Sequence, residues 1–162
     1  MVLGITIIAF YLENLLALFY NFGFFSNLIV ICTLVLLYPF FHNKNQKYLQ
    51  YCFLVGLFYD LIFTNTLLFH ALIFYCLGWG IVKINLYVVN NVYTTVGIVL
   101  TTVFLYLGIT YSIYSLLGLI PFDINHFIQQ VYYVIIINTI YSVVFFVIIE
   151  KVSQKYQILK MN

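Results

Sequence analysis

Between Tyr48 and Val89 the chain stays apolar, with Asp60 and Lys83 its only formal charges. A membrane span needs about 20 apolar residues, so this stretch is too long for one crossing. Thr64-Asn65-Thr66 is its one plausible turn. Splitting there gives two short helices, 48–63 and 67–83, joined by a tight connection. The rest of the chain follows the same pattern. Apolar residues make up 65% of it and charged residues 6%, against about 45–50% and about 25% in a soluble domain. Mean hydropathy is +1.11. Nothing of this size is left over for a soluble catalytic, nucleotide-binding or DNA-binding domain.

Six spans are expected, at 2–20, 28–41, 48–63, 67–83, 93–120 and 128–149, followed by a polar tail at 150–162. Asn21, Gly23, Ser26 and Asn27 mark the first turn, and Pro121 ends the fifth span. The first run lacks a basic leader and is interrupted by Glu13, so it reads as a retained span. The fold class is all-α: one integral membrane domain, a six-helix transmembrane bundle. All six basic residues are lysines. With six spans Lys44, Lys47, Lys83, Lys151, Lys155 and Lys160 fall on one side. The positive-inside rule makes that side cytoplasmic, with both termini there and Asp123 and His126 outside. Cys32, Cys52 and Cys76 form no CxxC pair and read as small apolar fillers. No internal repeat is visible.

An ionisable group at membrane depth costs at least a few kcal/mol, so it needs a reason. Glu13 lies mid-span, flanked on one helical face by Ala9 and Ala17. Small flanks let a neighbouring backbone approach. It reads as a proton, cation or partner site, or as a carboxyl that holds two helices together. Asp60 has Gly56 one turn before it and Thr64 one turn after. It is expected toward the outer end of its helix, partly hydrated, with a structural or interface role. His70 is expected near the outer surface. No His or Cys recurs at metal-ligand spacing, and no cofactor is expected.

The fifth span carries a seam. Thr94, Gly97, Thr101, Phe104, Gly108, Tyr111, Ser115 and Gly118 recur at steps of three and four, on one helical face. Such seams pack helix against helix in lipid. Internal packing is the first reading and a docking face the second; Leu107 lies off the seam. Gln130, Asn138 and Ser142 of the sixth span are expected to bond between helices. There is no Walker A loop, no GxSxG and no HExxH, and no basic patch suited to nucleic acid. The candidates for structural or partner contact are therefore Glu13, Gly56, Asp60, Gly97, Thr101 and Gly108, with no catalytic group among them.

The stretch VGLFYDLIFTNTLLFHALIFYCLGWGIV, Val55 to Val82, resembles the signature region of the MreD family of rod shape-determining membrane proteins. Gly56 and Asp60 match its first helix; Ala71, Tyr75 and Gly78 match its second. A glycine often stands in the family about where this chain has His70. Size, short loops and a basic tail fit as well. The resemblance implies a non-enzymatic component of the bacterial cell-elongation machinery in the cytoplasmic membrane. It would help organise peptidoglycan synthesis with MreC, beside MreB, RodA and a class B penicillin-binding protein. It also implies a fold similar to the substrate-binding subunits of energy-coupling-factor transporters. The alternative function is a vitamin-binding subunit of such a transporter. Those subunits often carry A-x-x-x-A on the first helix, which Ala9 and Ala17, eight apart, do not provide.

Overall fold

The computed structural model describes residues 2–19, 28–41, 44–64, 66, 68–88 and 91–156. They form helices α1 (Val2–Phe19), α2 (Ile29–Leu37), α3 (Asn45–Phe63), α4 (Phe69–Asn85), α5 (Val92–Leu116) and α6 (Ile124–Tyr156), with a 3-10 turn at Tyr38–Phe41. The expected six helices are present, including the separate α3 and α4. The turn at 21–27, Asn65, His42, the His126 side chain and the tail beyond Tyr156 lie outside the described residues. So do the side chains of Lys155 and Lys160.

The bundle is built around α2. All nine residues of this helix are buried, and it packs against α1, α4, α5 and α6. With its 3-10 turn it rises only about 22 Å, short of the roughly 30 Å of a bilayer's hydrocarbon core. Enclosure by other helices, not contact with lipid, is what suits so short an element. Its first turn is itself buried, with Leu28, Ile29 and Val30 at 1% exposure or less. The N–H groups of that turn have no partner within the helix and must find an acceptor elsewhere in the bundle.

Antiparallel α3 and α4 form the closest pair. An added Cβ on Gly56 would lie 2.5 Å from the Cα of Ala71, and one on Gly78 would lie 2.8 Å from the Cys52 sulfur. Absence of a side chain at Gly56 lets the two backbones meet, and at Gly78 it makes room for the Cys52 side chain.

The α5–α6 pair differs from the expected bounds. α5 stops at Leu116, before Pro121, because Gly118 takes a left-handed conformation (φ +70°). The Gly118 N–H donates to the Ser115 carbonyl and the Leu119 N–H to the Tyr114 carbonyl, both at 3.0 Å. This is the bonding of a Schellman cap. α6 then begins early, at Ile124. The Tyr111 hydroxyl fixes that start, accepting from the Asp123 N–H at 2.7 Å. At the far end α6 runs through Glu150 and Lys151 to Tyr156, where a polar tail was expected. Thirty-three residues give about 50 Å of helix, well beyond the hydrocarbon thickness. α5 and residues 127–151 of α6 are each long and apolar enough to cross a membrane.

Candidate functional site

Both deep acids sit where a buried helix start lacks an acceptor. Glu13, fully buried on α1, accepts the N–H of Val30 at 2.8 Å, in the first turn of α2. Its other oxygen accepts the Tyr59 hydroxyl of α3 at 2.9 Å. Three elements thus meet on one carboxyl. Carboxylates are favoured at helix N-termini by the orphan N–H groups and by the helix dipole.

Asp60 does the same for α4. One carboxylate oxygen accepts the N–H of His70 (3.1 Å) and of Ala71 (3.2 Å). The other lies 2.7 Å from His70 Nδ1 and accepts the Thr66 hydroxyl at 2.9 Å and that of Thr64 at 3.2 Å. Asp60 and His70 are 1% and 2% exposed. The expected partial hydration of Asp60 is therefore corrected, and His70, one residue into α4 beside the turn, is buried among the helices. The hairpin closes over both, because Gly56 lets α4 descend onto α3.

The two joints share a second feature. The residue preceding each capped helix is a leucine in the left-handed region, Leu28 (φ 56°) and Leu68 (φ 69°). Neither helix has a side-chain cap of its own; the acid of the preceding helix takes that role. α1–α2 and α3–α4 are thus two versions of one unit. The sequence hides this repeat because the acids differ, the spacings differ, and leucine gives no turn signal.

Tyr59 links the joints. Its hydroxyl binds Glu13, and its ring lies 5.1 Å from that of His70 and 5.3 Å from that of Phe74. The ring of Tyr106 on α5 closes the cluster, 6.0 Å from both His70 and Phe74. The acids that looked isolated in sequence share one aromatic neighbour. His70 and Tyr59 were not among the site candidates. Nothing in a single aromatic-rich chain singles out one tyrosine of 16.

The α5 seam is corrected. Among the described residues nothing outside the helix's own backbone lies within 4 Å of a Cβ built on Gly97 or Gly108, Thr101 is exposed, and Phe104 is 54% exposed. The packed face of α5 is instead Thr95, Ile98, Val99, Thr102, Val103, Tyr106, Leu107, Thr110 and Tyr111. Leu107, off the seam, is fully buried, so the packing falls beside the seam rather than on it. Only Tyr111 of the seam belongs to the core. On α6, Asn138 does bond between helices, accepting from the Cys32 thiol at 3.0 Å. Ser142 bonds within its own helix, to the Thr139 carbonyl. Cys32 and Cys52 are buried and Cys76 is exposed. Among the described residues no group of three metal-ligating side chains converges.

An all-α bundle of apolar helices, two of them long and apolar enough to cross a membrane, fits the class of helical membrane proteins. A family model, rod shape-determining protein MreD, matches residues 1–156. The chain belongs to the MreD family, whose members are membrane proteins of the Mre shape-determining system. No curated protein and no solved structure matches it.

Proposed function

We propose that this chain is a non-enzymatic, six-span adaptor that organises peptidoglycan synthesis with MreC, and that the outer face of α5 receives a partner's helix. RodA, MreB and a class B penicillin-binding protein would join the same assembly. The observation that carries this reading is the outward turn of Gly97, Thr101 and Gly108. Small residues that meet no other element among the described residues leave a face where another helix can approach closely. Glu13 and Asp60 support the non-enzymatic part, since each carboxyl is engaged by helix N–H groups and hydroxyls that tie helices together. Both termini and the segments near Lys44 and Lys83 would be cytoplasmic and Asp123 outside, as the lysine distribution suggests.

The test is Gly108→Leu. Because the position opens to empty space, the variant should fold and accumulate like the parent while its capture of MreC in mild detergent falls at least tenfold. Unchanged capture would refute the α5 docking face. Topology is checked separately, in a cysteine-free background. A cysteine placed at position 123 should label from outside the cell and one at position 46 should not.

A further inference from the structure

α1 and α3 run in the same direction, but they touch mainly at two points. At one end the Thr6 and Tyr51 hydroxyls bond at 2.7 Å. At the other, Tyr59 reaches Glu13 and Phe10 stacks on Phe63 with ring centroids 6.0 Å apart. Between these points lies a groove of about 400 Å³. Its floor is Thr6 and Val55, both buried; Leu3 and Ile7 form one lip, Leu54 and Phe58 the other.

The groove is lined largely by apolar side chains, and its α3 wall, Tyr51 to Ile62, runs for about three helical turns. An apolar slot of that length, with exposed lips on both sides, fits an unbranched hydrocarbon chain.

Charge stands at one mouth. Lys47, Tyr51, Leu54, Phe58 and Ile62 follow one another at steps of four, three, four and four, so they share one stripe of α3. Lys47 is exposed one turn beyond Tyr51, about 6 Å along the axis, and exposed Lys44 precedes the helix. A lysine at the end of a span reaches the headgroup layer.

We infer that the α1–α3 groove is a binding site for an anionic phospholipid, with one acyl chain between Ile7 and Phe58 and the phosphate at Lys47. Thr6 and Tyr51, bonded to each other, present carbon to the chain rather than free hydroxyls. The site rests on the membrane placement of the chain and not on MreC docking, so the Gly108→Leu and cysteine-labelling experiments stand or fall independently of it.

The test is native mass spectrometry of the full chain from mild detergent, titrated with dioleoylphosphatidylglycerol or dioleoylphosphatidylcholine. The parent should retain one phosphatidylglycerol at a concentration several-fold below that needed for phosphatidylcholine. One surface lysine is worth about fivefold toward an anionic lipid. Lys47→Gln should therefore erase about that much of the preference. Phe58→Ala, which removes an exposed lip, should weaken retention of both lipids. Lys83→Gln, on α4, should change neither. Equal retention of the two lipids by the parent would overturn the site. So would an unchanged preference in Lys47→Gln, or a loss in Lys83→Gln as large as in Lys47→Gln.

Discussion

At the α3–α4 joint the acid and the helix it caps lie within one hairpin, with Asp60 ten and eleven residues from the N–H groups it accepts. At the α1–α2 joint the acceptor is 17 residues from Val30 and 46 from Tyr59. The first joint is local and richly bonded, with two threonine hydroxyls, an imidazole and two backbone N–H groups gathered on one carboxyl. The second draws its described donors from two different helices. A hairpin can thus form its polar joint while the rest of the chain is unplaced, whereas the Glu13 joint needs α1, α2 and α3 together. The same carboxyl chemistry serves a supersecondary unit in one case and the tertiary assembly in the other.

The largest expected effect is at the local joint. Asp60→Ala strands two buried N–H groups and the imidazole, and each buried polar group left unpaired costs about 1–3 kcal/mol. Protein abundance in the membrane should collapse. Asp60→Asn should be much milder. Its carbonyl oxygen can still accept from the helix start, and its amide can donate to His70 Nδ1 and the threonine hydroxyls, which accept as well as donate. Collapse in Asp60→Asn equal to that in Asp60→Ala would show that charge, not bonding, holds the hairpin.

Gly56→Ala comes next. Its Cβ would meet backbone atoms of Ala71 and His70 at 2.5–2.9 Å, so a helix must move rather than a flexible side chain, at a cost of about 3 kcal/mol. A lowered denaturation midpoint in detergent should report it, and an unchanged midpoint would contradict the tight hairpin.

Glu13→Ala should cost about 2 kcal/mol, within the range for leaving a buried donor unpaired. Its signature should differ from that of Asp60→Ala. Proteolysis should show α1 and α2 loosened while the α3–α4 hairpin stays resistant. Uniform loss of protection would mean that the two joints are one cooperative unit.

Tyr59→Phe is the smallest change. It removes one hydroxyl and should cost about 1 kcal/mol. Combined with Glu13→Ala it should cost less than it does alone, because the bond between Tyr59 and Glu13 is already lost in that background. Full additivity in that double mutant would deny the link between the joints.

Much of the hairpin was legible in the sequence. Gly56, Asp60, Thr64 and the turn lie a few residues apart, and helix spacing alone puts them on one face. The resemblance to the MreD signature fell on the same stretch. Six helices were legible too, because apolar runs and turn residues alternate along the chain. The α5 seam was not. In water, an apolar stripe marks the inside of a helix. In lipid the surroundings are as apolar as the core, so a stripe of Gly97, Thr101 and Gly108 has no preferred side. Their spacing established that they share a face; only the packing of Leu107, Val103 and Val99 against the bundle decided that this face points away.

What the sequence determined by itself is therefore periodic and local: helix number, the α3–α4 turn, the presence of two costly acids, and the family. Tertiary structure decided which faces are inward, that Glu13 reaches the start of α2, and that Tyr59 spans both joints. The physical reason is that a buried carboxyl is specified by the donors it must satisfy. At Asp60 those donors are its neighbours in the chain, and at Glu13 folding alone brings them within reach.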